Sequence, residues 1–215
     1  MKIVAINGSP KGIASSTSVM LGAILKGAEA SCAEIFNIYL SEQNINFCKG
    51  CHSCWFVTPG KCIQKDDMEN LLNQLQTADV IILGSPVYFN NISATLKVFI
   101  DRLLVVGSKQ YAKKGSIVEK NKKSPLFLMV ANCGWADRTQ FEVVSLWAKK
   151  FAKLMDTKLI GEIFATQGKM ISCPTTELKE IISNYIKELE NAGKEIVKSL
   201  TISEQRISFL NSDFK

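Results

Sequence analysis

A doubly wound, five-stranded parallel α/β sheet with helices on both faces, in strand order 2-1-3-4-5, is the fold class this sequence predicts. Three observations predict it. Apolar runs of strand length alternate with helix-length segments five times along the chain, which is the pattern of right-handed β-α-β crossovers. The clearest run, residues 79–85, is apolar without alternation, as a central strand covered on both faces must be. The length of 215 residues suits one such domain and leaves little room for a second.

The elements follow in order. Lys2 to Ile6 is a short apolar run that reads as the first buried strand, followed by a Gly/Ser/Thr-rich loop and a helix from about Ser16 to Ala30. Ala33 to Leu40 reads as the second strand. A cysteine-rich insertion over residues 46–65 fills the next connection. Asp66-Asp67 sits where an N-cap and a first-turn acid belong, opening a helix through Gln76. Strand three follows, then a loop from Ser85-Pro86 and a helix near Ser93 to Val105. Leu126 to Ala131 is the fourth strand and Phe141 to Met155 a helix with good apolar spacing. Leu159 to Ala165 is the fifth strand, and Pro174 to Leu200 a long closing helix. Residues 1–200 thus read as one domain, with 201–215 as a polar C-terminal tail or dimer arm. In open sheets of this kind, ligands bind beyond the carboxyl ends of the strands. Function is therefore expected in the loops after strands one, three and four.

Composition narrows the class. At 47% hydrophobic and 21% charged the chain is ordinary for a globular domain. No stretch reaches the ~18–20 apolar residues that span a bilayer, and the apolar start is too short for a signal peptide. The expected location is the cytoplasm, with no membrane partner. The net charge of +6 is modest. Its densest stretch, Lys109 to Lys123, has only Tyr111 interleaved and lacks the aromatic spacing of a nucleic-acid groove. It reads as a solvated loop that could attract an anion such as NADPH. With His52 as the only histidine, inside the cysteine run, a Ser-His-Asp hydrolase is excluded.

The loop after strand one reads Gly8-Ser9-Pro10-Lys11-Gly12-Ile13-Ala14-Ser15-Ser16-Thr17-Ser18. A phosphate needs many donors converging on a small sphere, and a helix N-terminus supplies orphan N–H groups and a favourable dipole. Gly8 and Gly12 allow close backbone approach, the hydroxyls from Ser15 to Ser18 add donors without bulk, and Lys11 adds a charge. The loop lacks the Gly-Lys-Ser/Thr ending of a P-loop and the Gly-x-Gly-x-x-Gly of a dinucleotide site. A hydroxyl-rich helix cap without ligand is the alternative.

Asn-Gly-Ser-Pro-Lys at residues 7–11, with the following Ser-Thr, and Ser-Pro-Val-Tyr-Phe-Asn-Asn-Ile-Ser at 85–93 resemble the flavodoxin-like NADPH-dependent FMN reductase and iron–sulfur flavoprotein family. The resemblance runs from residue 1 to about 165 and is strongest at these motifs and the cysteine run. It implies FMN, with the phosphate held by Ser9, Ser16, Thr17 and Ser18, and Lys11 beside it. The first loop is one residue longer than the common form, which has Asn-Thr where Ser16-Thr17 stands. The resemblance further implies that Pro86, Val87, Tyr88, Phe89 and Asn90 touch the flavin ring, and that Ser93 opens the next helix. Such a loop offers an apolar and aromatic wall with polar groups for the ring edge. After strand four, Asn132 and Gly134 fall near the pyrimidine end, and Trp135 could cover a ring face or a nicotinamide. No catalytic side chain is required, because the flavin carries the chemistry.

Cys48, Cys51, Cys54 and Cys62 lie within one short run, four of seven cysteines in the chain. In a reducing compartment such a cluster suggests metal or redox chemistry. Thr58-Pro59-Gly60-Lys61 is a turn that would fold Cys62 toward Cys54. Two-residue gaps suit iron–sulfur ligation; a four-thiolate zinc site, free thiols or a redox-active disulfide fit the spacing too. By resemblance the run would hold a [4Fe-4S] cluster. Trp55 and Phe56 would pack over a cluster or a flavin ring.

The function expected is an FMN-dependent oxidoreductase passing electrons from NAD(P)H to a small acceptor (quinone, flavin, nitro or azo compound) or a protein partner. An electron-transfer carrier working with ferredoxin-type partners is the alternative, and a non-catalytic redox or metal sensor a second. An exposed cysteine lobe beside a flavin favours burial between subunits, so a homodimer or homotetramer is expected.

Overall fold

The computed structural model describes residues 1–107 and 124–214 of the chain. The lysine-dense stretch Lys109 to Lys123 lies outside the described residues. Five parallel strands form the sheet: β1 (Lys2–Asn7), β2 (Glu34–Tyr39), β3 (Val80–Tyr88), β5 (Leu126–Asn132) and β6 (Leu159–Ala165). Their order is β2-β1-β3-β5-β6, and every pairing among them is parallel. With strands counted along the chain, this is the expected 2-1-3-4-5.

One further strand was not foreseen. β4, Asn91–Ile92, pairs antiparallel with the end of β3, so the loop expected after Ser85 is instead an extended strand and a tight hairpin. Phe89 and Asn90 occupy its two central positions with φ of 49° and 60°, the left-handed pair that a two-residue hairpin of matching twist demands. Asn tolerates that region well and Phe does not. The turn is therefore strained at Phe89, whose side chain projects fully into solvent.

Two cores flank the sheet. On one face lie α1 (Ser16–Glu29) and α7 (Lys179–Ser199), packed on Ile3, Ala5, Val80, Ile82, Leu128 and Val130. On the other lie α3 (Met68–Gln76), α4 (Ala94–Arg102) and α5 (Glu142–Leu154), which cover Val4, Ile6, Leu83, Phe127 and Met129. Residues adjacent along each central strand thus face opposite cores, which is why these strands read as unbroken apolar runs.

Details at the helix ends differ from expectation. Asp67 does not cap α3; its carboxylate accepts the Asn44 N–H at 2.7 Å, while Asp66 accepts the first helical N–H, that of Met68, at 3.2 Å. The closing helix begins at Lys179 because residues 174–178 turn first, with the Leu178 N–H donating to Thr175 O at 3.1 Å. A short helix α6 (Lys169–Ser172) precedes that turn.

The segment that reads as a polar tail folds back as α8 (Glu204–Leu210). Ile202 and Leu210 are buried in the first core. Asn211 accepts the Phe164 N–H at 2.7 Å and donates to Glu162 O at 3.0 Å, so it covers polar backbone of β6, the edge strand. No helix among the described residues is long and apolar enough to cross a membrane.

Candidate functional site

The loop between β1 and α1 sits at the carboxyl end of the sheet and is held from below. Asn7, the last residue of β1 and fully buried, accepts the Ser9 N–H at 2.9 Å. Gly8 donates to Gly84 O at 2.8 Å and accepts from the Ser93 hydroxyl at 2.6 Å. A Cβ on Gly8 would stand 2.6 Å from the Leu96 Cβ, so only glycine lets the loop lie this close to α4. Ser93 also caps α4, accepting the Leu96 N–H at 3.1 Å.

The hydroxyls of this loop separate by what each still has to give. Ser15 is the N-cap of α1: it accepts the Ser18 N–H at 3.0 Å and donates to Gly12 O at 2.7 Å, so its proton is committed. Thr17 only accepts, from the Asn132 amide at 2.8 Å, and Ser9 only accepts, from the Lys11 N–H at 3.3 Å. Both keep an O–H to donate. Ser16 lies 3.0 Å from Ser172 and Ser18 lies 3.1 Å from Tyr39, oxygen to oxygen. The first-turn amides of Ser16 and Thr17 have no intrahelical acceptor by position. Two hydroxyls, two amides at a helix N-terminus and the exposed Lys11 are thus the donors that this loop, the anion cradle below, offers to an anion.

Asn132 is buried like Thr17, to which its amide donates, and its side chain fills the space where a Cβ on Gly168 would go. Cys133 is likewise structural: its thiol donates to Trp135 O at 3.2 Å, and burial pushes it up from the ordinary thiol range.

A cleft of about 650 Å³ opens beside the hairpin, lined by Val87, Tyr88, Phe89, Asn90, Gly134 and Trp135, together with Asp137 and Gln140. Six residues expected from two separate loops thus share one wall. Tyr88, Phe89 and Trp135 expose large aromatic surface there, suited to a flat apolar ring. Pro86 lies deeper, paired in register with Asn132. Asp137 and Gln140 also line the cleft, from the segment after β5, and no sequence motif marks them. Asp137 caps the turn at Arg138–Phe141, and hydrogen bonds from Thr139 hold its carboxyl below the usual range.

The cysteine lobe follows β2. His52 turns left-handed, φ 53°, and opens the short helix α2 (Ser53–Phe56). The turn at Thr58–Lys61 closes through Lys61 N–H to Thr58 O at 2.9 Å, with Gly60 at φ 82°, the conformation that position i+2 of a type II turn requires. The Gly60 N–H donates to Cys54 O at 3.0 Å, drawing the turn toward Cys54 as its sequence predicts. All seven thiols are free. Burial pushes the Cys54 thiol up from the ordinary thiol range, and the other cysteines of the run add to it. Among the described residues, no three cysteine, histidine or acidic side chains form a ready-made metal group. The chemistry of the donor set, four soft thiols carried on one lobe, fits iron–sulfur or zinc ligation, although their side chains are not gathered round a common point in this structure. Trp55 donates its indole N–H to Leu104 O at 2.7 Å, and Phe56 is exposed.

A buried ion pair ties the base of this lobe to the fold. Arg102, at the end of α4, pairs with Asp66 through both guanidinium nitrogens, Nη1 to Oδ2 at 2.5 Å and Nη2 to Oδ1 at 3.0 Å. Burial pushes the Asp66 carboxyl up, but the bonds from Arg102 and from the Asn46 and Met68 amides outweigh it and hold the carboxyl down at about 2. A signal existed: Arg102 continues the spacing of the buried Leu96 and Phe99, a charge on an apolar helix face.

The fold is that of a flavodoxin-like α/β protein, with the donor-rich loop after β1 at the carboxyl end of the sheet. The chain belongs to the NADPH-dependent FMN reductase family, whose model matches residues 1–124. An iron-sulfur flavoprotein of Archaeoglobus fulgidus is 42% identical over 121 residues, covering 55% of this chain and 54% of that one. An iron-sulfur flavoprotein of Methanosarcina thermophila is 32% identical over 117 residues, with 54% and 60% covered. The chain spans about half the length of the curated relatives it matches. Among solved structures, an FMN-dependent NADH-azoreductase from Bacillus anthracis superposes with a TM-score of 0.66 at 18% identity, covering 92% of this chain and all of that one. That likeness concerns the fold.

Proposed function

We propose that the protein is an FMN-dependent oxidoreductase that takes electrons from NAD(P)H and passes them to a small acceptor such as a quinone, flavin, nitro or azo compound. The observation that carries the reading is the conjunction of an anion cradle after β1 with an aromatic cleft after β3 and β5, in a chain of this family. Ser9, Lys11, Ser16, Thr17 and Ser18 are assigned to the phosphate. Val87, Tyr88, Phe89, Asn90, Gly134 and Trp135 are assigned to the ring and to the acceptor lying on it, with Pro86 and Asn132 supporting them from behind. FMN supplies hydride acceptance and onward electron release. The protein orients the ring, shields it from water with Tyr88 and Trp135, and balances the phosphate charge with Lys11 and the α1 terminus. The test is uptake of FMN followed by anaerobic NADPH addition. Rapid loss of the flavin absorption supports the reading, and slow loss that only a ferredoxin-type donor accelerates favours a carrier.

The carrier reading has its own support in the cysteine lobe and in the names of the curated relatives, which are iron-sulfur flavoproteins. On it, Cys48, Cys51, Cys54 and Cys62 hold a [4Fe-4S] cluster. Phe47, Phe56 and Val57 stand exposed on the same lobe, the surface a second copy of the chain would cover in a homodimer or homotetramer. Seven free thiols suit the cytoplasm.

A further inference from the structure

α4 touches both candidate centres, one at each end. Its first turn is tied to the anion cradle through Ser93, which donates to Gly8 O and accepts Leu96 N–H. Its last residue is Arg102, about 13 Å further along the helix axis. There the side chain is 1% exposed and the Asp66 carboxylate 0%. Arg102 Nη1 also donates to Asn46 O at 2.8 Å, and the Asp66 carboxylate in turn accepts the Asn46 N–H at 2.9 Å. Asn46 precedes the first cysteine of the run and Asp66 follows the last. One guanidinium therefore closes the base of the loop that carries all four thiols. Two residues on, Leu104 O holds the Trp55 indole from the middle of that loop.

We propose that Arg102 is a positioning residue for the thiol lobe, and that α4 is the strut fixing the lobe's separation from the flavin loop. The inference rests on the reading of Cys48–Cys62 as a ligand set. Its physical content is local. The bidentate fork matches a carboxylate in a way that an ammonium cannot, and loss of one partner leaves the other charge buried and uncompensated. Without the clamp, a loop of this length, tied mainly by short turns, opens as a unit while the sheet stays folded. The placement of the four cysteines relative to one another, and of the lobe relative to the flavin loop, is then no longer held.

The test compares wild type with Arg102→Met, Arg102→Lys and Asp66→Asn, as full-length, FMN-supplemented and chelator-treated protein. Alkylation of each cysteine is followed by mass spectrometry, and iron per chain is measured after reconstitution with iron and sulfide. Cys133, buried in the flavin-loop region, reports global opening. The expected result is a rise of about tenfold or more in Cys54 alkylation for Arg102→Met, a smaller rise for Arg102→Lys, and unchanged Cys133. FMN affinity should stay within about twofold of wild type. If Arg102→Met does not fold, Asp66→Asn carries the same expectation. Unchanged Cys54 reactivity in every folded variant, or a rise matched by Cys133, would overturn the proposal. Absence of iron in reconstituted wild type would count against the cluster reading alone, because the alkylation pattern reads the clamp without metal.

Discussion

Replacing Thr17 by valine isolates one proton in the anion cradle. The shapes match, and the γ-methyl that faces Gly84 is kept. What disappears is an oxygen that accepts the Asn132 amide at 2.8 Å, where Thr17 is 1% and Asn132 8% exposed. A buried amide left without its partner costs about 1–3 kcal/mol. For a chain of this size that lowers the melting temperature by roughly 2–4 °C per kcal/mol. The same oxygen has an O–H to spare, and a hydrogen bond to a charged phosphate contributes about 1.5–3 kcal/mol. Loss of it should weaken FMN binding by about 10- to 100-fold. Urea unfolding without FMN measures the first effect and fluorescence titration with FMN the second. In an Asn132→Ala background the stability cost of Thr17→Val should shrink by about 1 kcal/mol or more. Additive stability effects together with unchanged FMN affinity would refute the assignment of both roles to Thr17.

Two other predictions follow from the same bonds. Ser15→Ala should cost about 0.5–2 kcal/mol as a lost N-cap, with FMN affinity much less affected than in Thr17→Val, because the Ser15 proton is already given to Gly12 O; equal losses in urea-independent FMN titrations would contradict this. Asp66 gives the stability an acid limb. Its carboxyl is held at about 2 when folded against about 3.9 when unfolded, so its contribution is complete above the unfolded value and is lost as pH falls through that window. The limb is worth roughly 2–3 kcal/mol. Urea midpoints measured between pH 2.5 and 6 should show it in wild type and show it reduced in Asp66→Asn.

The sheet was legible because its strands face a core on both sides, which leaves Ile3–Ile6, Val80–Leu83 and Leu126–Ala131 apolar without interruption. The hairpin at Phe89-Asn90 was not. Its defining feature is a pair of left-handed φ angles, and a phenylalanine in that conformation carries no compositional mark. The closing segment misled for a different reason. Ile202, Leu210 and Phe214 are too widely spaced to set a helical period, although each finds the core. At the cradle, sequence places the hydroxyls but not their partners. Ser15 and Thr17 look alike until Gly12 O and Asn132 are seen to take different atoms from them. Arg102 was hidden by distance along the chain, since its partner Asp66 precedes it by 36 residues with the whole of β3 between them in sequence.

The proposed function depends on FMN binding through the loop after β1 and on its reduction by NAD(P)H. An anaerobic absorption titration of the full chain tests it most directly, first with FMN and then with NADPH. The expected result is saturable, stoichiometric uptake with perturbed flavin bands that bleach on NADPH addition, and uptake markedly weakened in Thr17→Val. A spectrum that remains that of free flavin at saturating protein would contradict it.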